Sequence, residues 1–258
     1  MVRRFLSQAV LYAKGRQAAF RWEEFLLLET GYPFVTLVFY CVLAAYSFQT
    51  ADLRHWVAGN ALLLCVNTCL FGLGSAFQGE RYNGRLRSIL VSPSSLLAVV
   101  LESGFLPCLI SAGTVLVGFG LGCLVFRVDL SGVSWGLLLP VILAAMFAMA
   151  GLGLLLSAIS LLGDGMHMLL NCMQYVLMLC TGIQFPVAQL PVMVRWIAYC
   201  LPLTRSVRAM DLLLANQAGW LPYVFGELLV GLVYCLLAAG SIELTARAAV
   251  RSGKMELF

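Results

Sequence analysis

The 258-residue sequence has very few charged residues. Only 11% of its positions are Asp, Glu, Lys or Arg, while 62% are apolar, and the mean hydropathy is +0.95. Soluble domains are about one quarter charged, and disordered chains combine low hydropathy with high charge. The composition therefore excludes both classes and leaves an integral membrane protein. Its net charge of +4 is spread too thinly between apolar runs to indicate nucleic-acid binding.

Lysine and histidine are also scarce, which limits the chemistry that the chain can carry out. The phosphate-binding loop of an ATPase needs the pattern Gly-Lys-Ser/Thr after a glycine-containing turn. Neither Lys14 nor Lys254 stands in that pattern, so ATP hydrolysis cannot reside in this chain. An intramembrane enzyme would need clustered acids, a Ser/His pair or a His-Glu-x-x-His helix. His55, in a predicted outer loop, and His167 belong to none of these patterns. We therefore predict no catalytic residues.

The nine cysteines form no Cys-x-x-Cys pair, and most of them lie inside apolar runs. Cys65 and Cys69 share one helical face, but no further metal ligand is close to them in the sequence. Buried cysteine packs as a small apolar residue. We predict packing rather than a metal site.

Long stretches without charge predict six membrane-spanning helices. A bilayer core of about 30 Å takes about 20 residues of helix, and backbone groups in lipid must be satisfied within their own segment. The apolar runs do not alternate with polar residues as in a β-barrel. We expect a single all-α membrane domain over residues 1–258, with spans at about 29–49, 56–78, 95–125, 136–160, 165–187 and 220–243.

The distribution of positive charge predicts the orientation of the chain. Eleven Lys and Arg residues lie on the side of the two termini and five on the other side, so both termini are expected in the cytoplasm. Residues 1–23 are basic, with apolar residues spaced along one helical face. They predict an interfacial helix on the membrane surface. A solvated basic tail is the alternative.

The loop between spans two and three carries the most specific pattern. Its sequence from Gly79 to Pro93 is GERYNGRLRSILVSP, and its basic and apolar residues fall on different sides of a short helix. On physical grounds it suits a docking helix and an ordinary positively charged loop equally well. The pattern resembles the cytoplasmic signature of the ABC-2 type transporter permeases. The matching residues are Glu80, Arg81, Gly84, Leu86, Leu90, Ser92 and Pro93, whereas Arg85 stands where the family usually has Thr.

The resemblance extends over nearly the whole chain. Proline-punctuated stretches at 185–191 and 201–205 are similar to the outer re-entrant helices between the family's last two spans. It implies a coupling helix that contacts the ATPase, a multi-pass protein of a bacterial cytoplasmic membrane, and no cofactor in this chain. The implied partners are two separate ABC ATPase subunits that bind ATP and Mg, a second permease chain, identical or related, and membrane lipids. The implied ATPase-coupling residues are Glu80, Arg81, Gly84, Leu86, Leu90 and Pro93.

Polar residues within the spans are candidates for a translocation pathway. Asn60 and Asn67 share a face of span two, and Asn171, Gln174 and Thr181 share a face of span five. Polar groups are costly in lipid, so these faces should point inward. They either line a path or form hydrogen bonds between helices.

The resemblance implies an ATP-driven exporter of an amphipathic substrate such as a drug, an antimicrobial peptide, a lipid or a lipid-linked glycan. The alternatives are a proton-coupled secondary carrier and a non-transporting membrane scaffold. A carrier would need an intramembrane carboxylate, and Glu102 and Glu227 are available. No chain of acids crosses the bilayer in the sequence, so we favour structural pairing of both.

Overall fold

The computed structural model describes residues 7, 9–11, 31–50, 52–84, 88–89, 96–128, 135–161 and 165–252. These residues form helices and turns, with no β-strand among them, which confirms the predicted all-α class. Apart from residues 7 and 9–11, the segment 1–23 lies outside the described residues. The interfacial helix therefore stays a prediction.

The described residues form α-helices, a π-helix and a short 3-10 helix. A π-helix, Val66–Gly72, directly continues the second helix, and a short 3-10 helix, Val187–Gln189, precedes the seventh. The α-helices are α1 (Tyr32–Phe48), α2 (Arg54–Cys65), α3 (Ala76–Tyr82), α4 (Leu96–Val125), α5 (Trp135–Ser160), α6 (Met166–Cys180), α7 (Val192–Cys200), α8 (Thr204–Leu214) and α9 (Leu221–Ser252).

Proline and glycine explain several helix boundaries. Pro33 and Pro222 lie in the first turns of α1 and α9, where a missing N–H loses no helical hydrogen bond. Gly182 has φ +89°, a left-handed conformation that glycine adopts without steric cost. The chain therefore turns just after α6, and this helix ends at Cys180 rather than at the predicted residue 187.

Among the described residues, three helices are long and apolar enough to cross a membrane: Arg54–Gly72, Gly136–Ser160 and Leu221–Thr245. Shorter apolar helices cover Pro33–Phe48, Leu96–Phe105, Ser111–Val125 and Met166–Cys180. Helix is thus present in each of the six regions where a span is expected. That all six cross the membrane stays a prediction.

Helix α5 is far more enclosed than α9, the last of the three long apolar helices. Its apolar stretch is 67% buried, against 17% for that of α9, and it packs most extensively on α9. Glycines bring these two backbones together. A Cβ built on Gly151 would lie 2.8 Å from the carbonyl oxygen of Gly231, and one on Gly231 would lie 2.9 Å from Cα of Ala148. Such close packing of small residues holds helices together in lipid.

The π-helix Val66–Gly72 also packs against α5. Gly153 of α5 lies against the backbone carbonyl of Cys69, so that any side chain at position 153 would overlap this carbonyl. Just beyond the π-helix, Leu73 and Phe77 join a smaller buried cluster with Val100 of α4. These contacts fix the path of the chain as it leaves α2 and enters α3.

Candidate functional site

Helix α3 carries the first part of the predicted coupling segment. Its Phe77 side chain is completely buried and packs in the cluster that includes Val100, Leu154 and Ala158. Gly79 and Tyr82 are exposed, and Glu80 is half-buried. The helix is thus fixed to α4 and α5 by one side, while its other side is open to solvent or to a partner.

Arg81 links α3 to the end of α5. Its guanidinium Nη2 donates a hydrogen bond of 2.5 Å to the carbonyl oxygen of Leu161, one residue beyond α5. The last carbonyls of a helix lack intrahelical partners and carry partial negative charge, so a cation is favoured there. The bond therefore joins α3 to the end of α5.

Gly84 bends the chain directly after α3. Its φ is +66°, and no atom lies within 4 Å of a Cβ built on it. A left-handed turn is thus present at Gly84, and none of the described residues fills the space beside it. Leu86, Leu90 and Pro93 lie outside the described residues. Their assignment to ATPase coupling, like that of Glu80, Arg81 and Gly84, stays a prediction.

Asn60 is buried at 2% exposure, and its amide is used within the chain. Its Nδ2 donates to the carbonyl of Trp56 at 2.8 Å, and its Oδ1 accepts from Nε2 of Gln184 at 2.9 Å. Trp56 in turn donates from Nε1 to the carbonyl of Gln184 at 3.3 Å, and its ring lies 5.2 Å from that of Phe48. Asn60 therefore holds the turn after α6 against α2.

The remaining candidates for a pathway lie in different surroundings. Asn171 is exposed and donates to the carbonyl of His167, whereas Thr181 is fully buried and donates to that of Leu177. Gln174 is half-buried, and the side chain of Asn67 lies outside the described part of the chain. Bonds of this kind, four residues back along a helix, satisfy a polar side chain locally. A translocation pathway through these residues stays a prediction.

Two further polar contacts join residues that are distant in the chain. His55 Nδ1 and Asp211 Oδ1 are 2.7 Å apart, which joins α2 to α8; both side chains are about three-quarters buried. Because 156 residues separate the two, no local pattern could reveal the pair. The sequence placed His55 in an outer loop. In the structure His55 links α2 to α8.

Glu227 makes the second of these contacts. Its side chain is fully buried, and its carboxylate accepts three backbone hydrogen bonds from the start of α8. The expected pairing of this carboxylate is therefore present, but with backbone N–H groups. A signal in the sequence was the single charge that interrupts the apolar run 212–242.

Among the described residues, no group of three His, Cys, Asp or Glu side chains could hold a metal ion. The closest thiols are those of Cys69 and Cys108, with their Sγ atoms 3.7 Å apart. The π-helix and α4 touch there through apolar packing, since Cys69 belongs to the main buried core.

The sequence is similar to that of a known family of membrane proteins. No curated protein matches the chain. The sequence profile of the ABC-2 type transporter family matches residues 9–214, which include α1 to α8 and the segment around Glu80 and Gly84. With this match over most of its length, the chain belongs to the ABC-2 type transporter family.

Proposed function

We propose that this membrane-embedded permease subunit works with two separate ABC ATPase subunits and a second permease chain, identical or related. The complex would export an amphipathic substrate across the cytoplasmic membrane of a bacterium. Candidate substrates are a drug, an antimicrobial peptide, a lipid or a lipid-linked glycan. ATP and Mg would bind to the ATPase subunits. The family match over residues 9–214 carries this proposal.

In the proposed topology six helices cross the membrane and both termini are cytoplasmic. The α3 end of the molecule then faces the cytoplasm, and the α7–α8 segment (Val192–Leu214) faces the outside. The excess of Lys and Arg near the termini supports this orientation. The exposed aromatic residues Trp196 and Tyr199 on α7 support a position of this helix at a membrane interface, because aromatic side chains are enriched at both interfaces.

The contacts of α3 support a route for coupling. An ATPase that moves the segment Ala76–Gly84 would pull on Leu161 through Arg81 and so displace α5. Helix α5 is tightly packed on α9 through Gly151 and Gly231, so α9 would follow. Packed interfaces shift as units rather than deform continuously. ATP binding would in this way change the arrangement of helices across the whole subunit.

The exposed face of α6 supports a second permease chain. Asn171 is exposed on a mostly apolar helix, beside Met168 at 75% and Tyr175 at 57% exposure. An amide facing lipid is costly. The second permease chain would cover this face, or substrate would pass along it between the two subunits.

The test uses Gly84, whose left-handed conformation is rare for residues with a Cβ. Gly84→Trp should abolish export, because a bulky side chain at φ +66° forces the bend to change. Gly84→Asn is the matched control, since Asn tolerates this conformation. Exchanging Glu80 and Arg81 should also uncouple the complex, because it removes the bond to Leu161.

The measurement is made on the tagged chain, purified from native membranes with its bound ATPase and reconstituted in proteoliposomes. ATP hydrolysis and ATP-dependent outward movement of an NBD-labelled phospholipid are recorded together. We expect wild type and Gly84→Asn to couple the two activities and Gly84→Trp to lose export. Purification without an ABC ATPase would favour a scaffold. Lipid movement driven by a proton gradient alone would favour a secondary carrier.

A further inference from the structure

Helix α8 begins without a capping side chain of its own. The N-cap position is occupied by Leu203, which makes no side-chain cap and has φ +75°. A left-handed conformation is costly for leucine and persists only where the surroundings enforce it. The first four N–H groups of a helix also need acceptors from outside the helix. Both requirements point to a neighbouring group that holds this helix start in place.

Glu227 of α9 supplies the missing acceptors. Its Oε1 accepts from the N–H of Leu203 at 2.7 Å, and its Oε2 accepts from the N–H groups of Arg205 and Ser206 at 3.1 and 3.2 Å. Hydrogen bonds to an ionised carboxylate are about twice as strong as neutral ones. The N-terminal end of a helix also carries partial positive charge, which stabilises the buried anion.

The surroundings of Glu227 are adapted to this contact. The side chain of Arg205 lies over Gly226, where a Cβ would be only 2.9 Å from its Cδ, so that the glycine makes room for it. One further hydrogen bond joins α9 to the end of α7. The hydroxyl of Tyr234 donates to the carbonyl of Cys200 at 3.1 Å. Helix α9 thus contacts both the end of α7 and the start of α8.

We propose that Glu227 is a positioning residue for transport, because it fixes the α7–α8 segment to α9 and export depends on that attachment. Glu227 and Gly231 are four residues apart, so they lie on the same face of α9. That face packs on α5 at Gly231 and holds α8 at Glu227. A movement of α5 is therefore passed to α8 through one rigid helix. The transport part of this inference rests on the proposed function, whereas the attachment itself does not.

The attachment is tested by hydrogen–deuterium exchange of the chain in lipid nanodiscs. Glu227→Gln keeps the size of the side chain but removes the charge and turns an NH2 group toward N–H donors. The amides of Leu203, Arg205 and Ser206 should exchange about 10- to 100-fold faster, the range expected when hydrogen bonds to a charged group are lost. Glu243→Gln is the control, because Glu243 is exposed on the same helix.

Tyr234→Phe is a second control, since it removes only the bond to Cys200. It should leave the exchange of residues 203–206 unchanged. If Glu227→Gln does not fold, Glu227→Asp replaces it; the shorter carboxylate keeps the charge but cannot reach all three donors. A smaller acceleration, between wild type and the range above, is then expected. Unchanged exchange in either variant would overturn the attachment.

The transport part is tested with the same variants in the reconstituted complex, using the NBD-labelled phospholipid. Glu227→Gln should keep ATPase binding and ATP hydrolysis but reduce outward lipid movement at least tenfold, while Glu243→Gln should move lipid as wild type does. Faster exchange at 203–206 with normal lipid movement would refute the positioning role. If wild type neither binds an ABC ATPase nor moves lipid with ATP, the proposed function fails, and the exchange result still decides the attachment.

Discussion

The packing of α5 on α9 makes a quantitative prediction at Gly231. Gly231→Ala places a methyl group 2.9 Å from Cα of Ala148 and 2.6 Å from Cδ1 of Phe147. The phenyl ring can rotate away, but the backbone of α5 cannot yield without shifting the whole helix. Gly240→Ala is the matched control on the same helix, because no atom lies within 4 Å of a Cβ there.

The expected effect is a difference between the two variants. Each gains the higher helix propensity of Ala, up to about 1 kcal/mol. Only Gly231→Ala adds the cost of overpacking, typically about 1–3 kcal/mol. The difference in stability between the two variants cancels the gain in helix propensity and leaves the cost of overpacking. For a chain of this size about 1 kcal/mol shifts Tm by about 2–4 °C. The variants should therefore differ by about 2–12 °C, with Gly231→Ala the less stable.

Native cysteines supply the assay. Cys41, Cys65, Cys69 and Cys123 are buried, so a thiol-reactive fluorophore labels them only as the protein unfolds in detergent. The exposed Cys172 and Cys200 give the starting signal. Equal melting temperatures for Gly231→Ala and Gly240→Ala would refute the close contact between the α5 and α9 backbones. A Gly231→Ala protein more stable than wild type would do so as well.

Two further predictions concern polar links to α2. In a double-mutant cycle, Asn60→Ala and Gln184→Ala should show a coupling energy of about 0.6 kcal/mol, as for hydrogen bonds inside membrane proteins. Thermal unfolding measures this coupling energy. Additive losses of stability would contradict the contact. His55→Gln and Asp211→Asn should each lower stability by about 0.5–1.5 kcal/mol. Their combination should cost less than the two single losses together, and a purely additive result would exclude a direct bond.

Much of the helical framework could be predicted because it depends on local properties. Charge-free stretches mark the regions of α1, α2, α4, α5, α6 and α9, since length and hydropathy are additive along the chain. The π-helix Val66–Gly72 and the end of α6 at Cys180 could not be predicted. The π-helix lies against Gly153 of α5, which is distant in the chain, and α6 ends at the turn of Gly182, which packs under Val187.

The candidate site also contains features that could be predicted from the sequence and features that could not. The segment around Glu80 and Gly84 is recognisable because its residues are contiguous, and the bend at Gly84 follows from glycine itself. The roles of His55 and Glu227 depend on partners that are distant in the chain. A lone charge in an apolar run shows that some partner is needed, since an unpaired buried charge is very costly. It does not show which one.

The two kinds of attachment described for α9 differ in their physical response. Gly231 meets α5 through close backbone packing, which no water molecule or ion can replace, because there is no room for one. Glu227 meets α8 through hydrogen bonds, which strengthen in a medium of low dielectric constant but which water can replace once it enters. In the proposed cycle of ATP binding, the α5–α9 pair would therefore move as one body. The bonds between Glu227 and the start of α8 are buried, so α8 follows α9 for as long as water is kept from this carboxylate. The proposed transfer of movement from α5 to α8 thus needs both contacts, the close packing at Gly231 and the hydrogen bonds at Glu227.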